Sequence, residues 1–415
     1  MTTETLPKQE NAESSLGVHV KGYLERIKGG ELGALPAVFG LIILCVVFSV
    51  LRPAFLSAVN FANLFTQGAA VAVIAMGLIF VLLLGEIDLS AGFASGVCAA
   101  VLAVLLTLQG WPWYLAVLAA MVTGAVIGLV LGSLVAKLGI PSFVVTLAAF
   151  LAFQGVVLLL VKDGTNISIR DETILAIANK NVPPVAGWTA LIVGVVAYAA
   201  IQLLQARRRA ARGLVATPIT VIAARVATLA VVSGVAVYVL NLERSRNAAL
   251  VSLKGVPIVV PLIVILLIVW TFVLRRTAYG RHIYAVGGNA EAARRAGINV
   301  DRIRISAFVI CSFMASLGGI IAASRANSVD PNTGGSNVLL FAVGAAVIGG
   351  TSLFGGKGRA LDALLGGAVV AVIENGMGLM GYSAGVKFVV TGSVLLLAAG
   401  VDALSRKRAA ATGRR

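Results

Sequence analysis

The sequence predicts an all-α, polytopic integral membrane protein with about 10–12 transmembrane helices, since a span needs about 20 apolar residues to cross the hydrocarbon core. The chain has 415 residues, of which 59% are hydrophobic and only 12% are charged. A soluble globular chain has about 45–50% apolar and about 25% charged residues. Apolar runs of span length recur along the chain, and no water-soluble fold of this size could hide so much apolar surface.

Twelve apolar runs are candidate spans, and the tenth is short, so it is expected to be tilted, broken or re-entrant. The polar N-terminal segment lacks the apolar core and cleavage site of a secretory signal, so the first run is expected to remain as a membrane anchor. The predicted spans lie near residues 36–52, 66–84, 90–107, 113–135, 141–161, 186–205, 216–240, 257–274, 305–323, 338–352, 361–380 and 385–402.

Basic residues are unevenly distributed between alternate connections. If the N-terminus lies in the cytoplasm, the cytoplasmic segments hold 23 of the 33 Lys and Arg residues, and the opposite segments with their span ends hold nine. Cytoplasmic loops carry an excess of these residues, so we predict that both termini are cytoplasmic. The predicted parts of the chain are a cytoplasmic tail (1–35), a transmembrane domain (36–402) and a basic cytoplasmic tail (403–415).

The formal net charge of +16 would suggest nucleic acid as a partner of a soluble protein. Here the basic residues are scattered among apolar spans, so we expect the lipid bilayer as the surroundings and no nucleic acid. Cys45, Cys98 and Cys311 lie in apolar runs and are expected to be packed, inert thiols. His19 and His282 lie in polar segments, so the sequence predicts neither a metal site nor a catalytic site.

Three polar connections stand out. Residues 162–185 and 324–337 lie on the outer side of the predicted topology, and the second is rich in Asn and Gly. Residues 275–304 form a 30-residue connection, the largest on the cytoplasmic side. The sequence shows no convincing internal repeat and no separate soluble domain.

The large cytoplasmic connection is predicted to contain one short helix with its own capping residues. Asn289 is suited to accept hydrogen bonds from free amides of the first turn. Glu291 lies near the positive end of the helix dipole, and Arg294 and Arg295 lie near the negative end. Gly297 suits the left-handed position that ends a helix.

This short helix needs support from other groups, since about seven residues is below the roughly 12–15 that an isolated helix needs in water. Support from its own spans would make it a plain amphipathic connector. Support from the groove of another protein would make it a docking element, and its small alanines would allow close approach. The residues alone leave both readings open.

Two acids, Glu86 and Asp88, lie between the second and third predicted spans. A solvated turn at the membrane surface is one reading. The other is a broken helix whose exposed backbone lines the translocation pathway, since irregular backbone at membrane depth must face water or protein. The flanking Gly85, Ser90 and Gly92 favour the break.

Polar residues also occur inside predicted spans. Glu374 and Asn375 lie in the eleventh span, and Gln154 lies in the fifth. Hydroxyl-rich ligands need donors and acceptors in a largely apolar cleft, so these residues are predicted to line the pathway together with Glu86 and Asp88. Hydrogen bonding between helices is the alternative role, and Arg225 is a possible partner for one of the acids.

Four stretches resemble ABC importer permeases of the ribose and xylose class. The run RTAYGRHIYAVGGNAEAARRAGINVDR (276–302) resembles the cytoplasmic coupling loop of that family. GEIDLSAG (85–92), LGIPSFVVTLAAFLAFQG (138–155) and IGGTSLFGGKG (348–358) are similar to further segments of it. The long insertion that holds the spans near 186–240 is similar to the xylose members rather than to the shorter ribose ones.

The resemblance covers most of residues 60–402 and implies an ABC importer permease that docks its coupling loop into a cytoplasmic ABC ATPase subunit. ATP binding there would move the spans between inward- and outward-open states. The resemblance also implies an extracytoplasmic sugar-binding protein, a second permease copy in a homodimer, and the bacterial inner membrane. No cofactor is expected in this chain, and the partner ATPase uses ATP and Mg. The implied docking residues are Gly288, Asn289, Glu291, Ala292, Arg295 and Gly297.

The chain itself is not expected to hydrolyse ATP, because it contains no G-x-x-x-x-G-K-[ST] run. The nearest approach is Gly356-Lys357, where position 351 is Thr and Gly358 follows the lysine. The chain departs from the family's usual acidic Glu-Leu-Asp run, since residues 336–341 read Ser-Asn-Val-Leu-Leu-Phe. The resemblance, rather than this departure, implies xylose or a related sugar as the substrate, with nucleosides and branched-chain amino acids as alternatives.

Two other classes of function remain to be weighed. An ion-coupled secondary transporter would use a buried acid such as Glu374 as a relay and would need no docking helix. A membrane-embedded enzyme would need a catalytic constellation at bilayer depth, and neither histidine lies in a predicted span.

Overall fold

The computed structural model describes residues 35–162, 165–245, 247–248 and 252–411. The predicted N-terminal tail up to residue 34, with His19, lies outside these residues, as do residues 412–415 at the end of the predicted basic tail.

The described chain is almost entirely helical, as predicted. Short connections join most of the helices, a 3-10 turn follows α1 at Pro53–Leu56, and α3 ends in a π-helical turn at Val104–Leu108. The helices are α1 (Leu35–Leu51), α2 (Ala58–Leu83), α3 (Ala91–Ala103), α4 (Trp113–Lys137), α5 (Ser142–Val161), α6 (Glu172–Asn179), α7 (Pro184–Ala210), α8 (Ile219–Leu240), α9 (Val259–Arg276), α10 (Ala278–Gly288), α11 (Ala290–Arg295), α12 (Val300–Ala326), α13 (Ser336–Ile348), α14 (Ala360–Leu379) and α15 (Ala384–Ala411).

All twelve predicted apolar runs form helices. Nine helices in the described ranges are long and apolar enough to cross a membrane, counting α3 with its π-helical turn, and three shorter apolar segments lie in α1, α13 and α15. The tenth run is short, as predicted: α13 has 13 residues and rises about 20 Å, less than the ~30 Å hydrocarbon core.

The predicted start of the second span is wrong. The helix begins at Ala58 rather than near residue 66, and the Ser57 side chain accepts a hydrogen bond from Asn60 N at 3.3 Å. The first two turns contain polar residues, so a span predicted from mean hydropathy begins after them. They are helical because other helices pack around them.

The centre of the bundle is α12 packed against α4. Small residues spaced by four, a spacing that places them on one helix face, form a buried stripe along α4. A Cβ placed on Gly124 would lie 2.6 Å from Ser312 O, and one on Gly132 would lie 2.8 Å from Ile305 Cα. Glycine therefore allows these two helices to pack closely. The stripe consists of Ala116, Ala120, Gly124, Gly128 and Gly132.

A second close seam joins α2 to α14. A Cβ on Gly68 would lie 2.9 Å from Ala371 Cβ, and one on Gly367 would lie 3.0 Å from Ala72 Cβ. The helix α2 therefore lies between α12 and α14 and is buried along most of its length.

The packing pattern repeats within the chain although the sequence shows no convincing repeat. Helix α12 packs on α2, α3 and α4, and helix α2 packs correspondingly on α12, α13 and α14. Helices α3 and α13, which are the short members of the two sets, meet at their N-termini, where a Cβ on Gly92 would lie 2.7 Å from Gly334 O.

The inserted hairpin α7–α8 packs mainly on itself. Only 6% of the most apolar stretch of α7 and 11% of that of α8 is buried, so most of their apolar surface is exposed. Helices that face lipid have such exposed apolar surfaces. The pairing of Arg225 with a buried acid, which the sequence left open, is not formed. Arg225 is exposed on α8, and no carboxylate of the described residues lies within ion-pair distance of it.

The two polar connections predicted to share one side of the membrane do pack together. The first forms α6 and two short strands, β1 (Ile167–Ser168) and β2 (Asn181–Val182). Strand β1 pairs with β4 (Ser328–Val329), and β2 pairs with β3 (Val256–Pro257). These connections lie at the end of the bundle opposite α10 and α11.

Candidate functional site

The large connection after α9 is helical rather than an open loop. Helix α9 continues to Arg276, and α10 begins at once, with the Thr277 side chain accepting from Gly280 N at 3.2 Å. Helix α12 already begins at Val300, within the predicted cytoplasmic connection of 275–304. Gly280 of α10 is a packing position, because a Cβ there would overlap with Leu274 O.

The predicted short helix is present as α11, with both predicted caps. Asn289 Oδ1 accepts from Ala292 N at 2.9 Å. At the other end Gly297 has a φ of +82°, and Ile298 N donates to Ala293 O at 3.0 Å. These bonds satisfy backbone groups at both ends of a helix of only six residues.

The residues implied to dock a partner are all exposed on this segment. Ala293 is buried and anchors α11 to the bundle, while the Glu291 side chain pairs with Arg295 at 3.2 Å. A side chain at position 288 or 297 would meet nothing within 4 Å. One face of α11 therefore packs against the bundle, and its other face is exposed. The exposed residues are Gly288, Asn289, Glu291, Ala292, Arg295 and Gly297.

The chain breaks between α2 and α3, and the break is not a solvated turn. Gly85 has a φ of +75°, and Asp88 is 1% exposed. Asp88 Oδ1 accepts from Ser90 N at 2.8 Å and from Ser90 Oγ at 2.6 Å, and Cys311 Sγ donates to Oδ2 at 3.4 Å. Asp88 therefore organises the start of α3 and contacts α12.

Glu86 lies in the same break and pairs with Arg304 of α12. Glu86 Oε1 is 3.3 Å from Arg304 Nε, and the side chains are 16% and 28% exposed. The contact is not aligned as a hydrogen bond, so it acts through charge. No local sequence pattern indicates this pair, because the two residues are far apart in the chain.

A polar cluster lies at the opposite end of α2, against α14. Asn60 Nδ2 donates to Phe55 O at 3.0 Å, which turns Asn60 Oδ1 towards α14. Asn375 Nδ2 donates to that oxygen at 2.9 Å and to Gln67 Oε1 at 3.3 Å. Asn375 is 5% exposed, and its Oδ1 has no hydrogen-bond partner among the described residues. We call Asn60, Gln67 and Asn375 the amide cluster.

Glu374 lies half-buried beside the amide cluster. The positive charges of Lys387 on α15 and Arg325 on α12 act on its carboxylate. Sequence reasoning found Glu374 and Asn375 but missed Asn60 and Gln67, because polar residues at the start of α2 read as a connection. The third predicted pathway residue in a span is separate: Gln154 is exposed on α5 and makes no hydrogen bond with described residues.

A cavity of about 520 Å³ opens at the end of α3, on the side of the molecule that carries α6. Trp111 and Arg170 lie at its rim, together with Asp171, whose Oδ1 caps α6 by accepting from Thr173 N at 2.9 Å. Its volume is within the range of small-molecule sites. In the described ranges no group of three or more His, Cys, Asp or Glu side chains is placed to hold a metal ion.

Comparison with known proteins agrees with these features. The family described as branched-chain amino acid transport system / permease component matches residues 60–399. The chain is 35% identical over 405 residues to the xylose transport system permease protein XylH of Escherichia coli K12, covering 97% of this chain and all of the relative.

Two further relatives are similar over most of their length. XylH of Haemophilus influenzae is 32% identical over 86% of this chain and 92% of the relative. The ribose import permease protein RbsC of Escherichia coli K12 is 30% identical over 88% of this chain and 92% of the relative. No solved structure matches. The chain therefore belongs to this family of transport-system permease components and is the multi-pass permease subunit of an ABC importer, whose ATPase is a separate chain.

Proposed function

We propose that this chain moves xylose or a closely related monosaccharide across the bacterial inner membrane into the cytoplasm. The observation that carries the proposal is α11, a six-residue helix capped at both ends and exposed on one face, in a chain similar over 97% of its length to a xylose permease. A helix so short needs its caps and its anchor at Ala293 to persist, and its outward face offers small residues to a partner.

A cytoplasmic ABC ATPase subunit binds α11 in this proposal. The exposed backbone at Gly288 and Gly297 allows close approach, and the Glu291–Arg295 pair can exchange for contacts with charges on the ATPase. ATP and Mg are bound by the ATPase alone. Closure of the ATPase pair around ATP then moves α10 and α11 and, through them, the spans.

The charge distribution supports an orientation with both termini in the cytoplasm. The end of the bundle with α10 and α11 carries the basic residues that such an orientation requires. The opposite end then faces the extracytoplasmic space. There a soluble sugar-binding protein would approach the exposed Arg170 and Arg325, which suit acidic residues on its lobes.

The amide cluster and Glu374 line the pathway in this proposal. Amides and a carboxylate offer both donors and acceptors to sugar hydroxyls, and the unpartnered Asn375 Oδ1 is an acceptor that a hydroxyl can satisfy. A second copy of this chain would complete the pathway as a homodimer, since ATPase subunits close in pairs. The resemblance to importer permeases supports this assembly.

The test is uptake by proteoliposomes that hold this chain with its ATPase and binding-protein partners. We expect ATP-dependent accumulation of labelled xylose, slower uptake of ribose and none of leucine. Leucine uptake in place of xylose would favour the amino acid alternative suggested by the family description. Uptake that survives without ATP but stops with an uncoupler would instead indicate an ion-coupled carrier that uses Glu374.

A further inference from the structure

Gly287, near the end of α10, lies directly against the last turn of α2. A Cβ placed on Gly287 would overlap with Leu83 O and would lie 3.0 Å from Gly356 N. Real Cβ atoms do not approach backbone atoms so closely, so only glycine fits at this position. The contact is therefore between backbones, and α10 has little freedom to slide along the end of α2.

A third backbone segment closes the same contact. Gly356 N donates to Leu83 O at 2.8 Å, so the turn before α14 is hydrogen-bonded to the end of α2. A Cβ on Gly355 would lie 2.8 Å from Gly287 O, and both Gly355 and Gly356 have a positive φ. We call the meeting point of Leu83, Gly287, Gly355 and Gly356 the backbone junction.

A side-chain contact attaches α10 to this turn a second time. Tyr284 OH donates to Gly358 O at 2.6 Å, one helical turn before Gly287. The turn is stiff, because Asp362 on α14 accepts from Arg359 N at 2.8 Å and from Arg359 Nη2 at 2.7 Å. A displacement of α10 therefore pushes on the base of α14 rather than deforming a loose loop.

The two helices that meet at the backbone junction are also the helices that build the amide cluster. Helix α2 carries Asn60 and Gln67, and α14 carries Glu374 and Asn375. Each helix runs from the junction at one end of the bundle to the cluster at the other, and α2 alone spans about 39 Å. A shift applied at the junction reaches both sides of the cluster.

We infer that the backbone junction transmits the movement of α10 and α11 to α2 and α14 together, and so opens and closes the amide cluster to the substrate. The inference rests on the proposed function, since it takes α11 as the segment that the ATPase moves. Gly287 and Tyr284 are positioning residues in this scheme, because they touch neither ATP nor the sugar.

The test measures xylose taken up per ATP hydrolysed in proteoliposomes with the partner ATPase and binding protein. Gly287→Ala should leave the complex assembled and hydrolysing ATP, while uptake per ATP falls about tenfold. Tyr284→Phe removes one hydrogen bond at nearly constant shape and should lower the same ratio about fivefold. Gly194→Ala on α7, where a Cβ meets nothing within 4 Å, is the matched control and should leave the ratio unchanged.

An unchanged ratio in an assembled Gly287→Ala or Tyr284→Phe complex would overturn the inference. If Gly287→Ala does not fold, the xylose taken up per ATP hydrolysed by the Tyr284→Phe complex tests the inference alone. Loss of ATPase binding in either variant would also overturn it, since the residue would then belong to the docking surface. Failure of the proposed function is distinguishable, because the unaltered chain would then bind no ATPase or would take up no xylose.

Discussion

Arg304 Nε lies 3.3 Å from Glu86 Oε1, which joins the break between α2 and α3 to the first turns of α12. Both side chains are mostly shielded from water, at 28% and 16% exposed. Removal of either partner leaves a charge that is neither paired nor well hydrated.

Arg304→Gln is therefore expected to lower the free energy of unfolding by about 1–2 kcal/mol, less than for a fully buried pair. Thermal unfolding of the purified chain in detergent measures the change, and the charge exchange Glu86→Arg with Arg304→Glu should recover part of it. Lys180 and Glu172 form a control pair at the same 3.3 Å but with both side chains well exposed, so Lys180→Gln should have almost no effect. Equal losses for the two pairs would contradict this account.

The small-residue stripe of α4 makes Gly128 intolerant of any side chain. A Cβ at this position would overlap with Phe308 O and lie close to Val309 Cα. Gly128→Ala should destabilise the chain by about 1–3 kcal/mol, since the helices must separate to admit the methyl group. Gly234→Ala on α8, where a Cβ meets nothing within 4 Å, should be neutral or slightly stabilising. The measurement is the unfolding midpoint, and a neutral Gly128→Ala would show that the seam is looser than described.

The amide cluster allows the pathway role and the structural role to be separated. If Asn375 contacts the sugar, Asn375→Leu should reduce xylose uptake about tenfold while unfolding shifts by only about 0.6–1 kcal/mol, the size of a hydrogen bond between membrane helices. Asn60→Ala removes a partner of Asn375 and should affect uptake less. Uptake rates and unfolding midpoints of both variants decide between the pathway role and the structural role. A large loss of stability with normal uptake would assign the cluster to helix packing alone.

The caps of α11 should control affinity for the ATPase. Asn289→Ala removes the bond to Ala292 N and should weaken the helix by about 1 kcal/mol, with about fivefold weaker ATPase binding. Asn299→Ala is a matched control, because Asn299 Oδ1 caps α12 in the same way, at 3.0 Å from Arg302 N. Binding of the ATPase to detergent-solubilised chain gives both affinities. Equal weakening by the two variants would remove the special role of α11.

Glu243 should make the connection between α8 and α9 sensitive to acid. Hydrogen bonds from Leu253 N, Ser245 N and Ser252 Oγ lower the pKa of its carboxyl from 4.5 to about 2. Because the folded pKa is lowered, the stabilisation is complete above pH 4.5 and is lost as the pH falls towards 2. The protection of the Leu253 and Ser245 amides against hydrogen exchange, relative to an unstructured chain at the same pH, should therefore fall over that interval. Glu243→Ala, which removes the acceptor, should show low protection at every pH, and high protection in that variant would contradict the assignment.

The twelve apolar runs and the capped helix α11 could be predicted from the sequence because each depends on neighbouring residues. A run of apolar side chains must leave water whatever its partners are, and Asn289 and Gly297 act on backbone groups within one turn. The same locality explains why the start of α2 was misjudged, since polar residues there serve packing.

The sequence by itself determined which segments enter the membrane, the bias of charge between their ends, and the position and caps of the short helix α11. Only the tertiary structure decided which distant residues meet: Asn375 with Asn60, 315 positions away, and the backbone of Gly287 with that of Leu83. Such pairs follow from the order and close approach of helices in the bundle. That arrangement is set by packing between small residues. An apolar chain contains many such residues, and the sequence does not show which of them pack against each other.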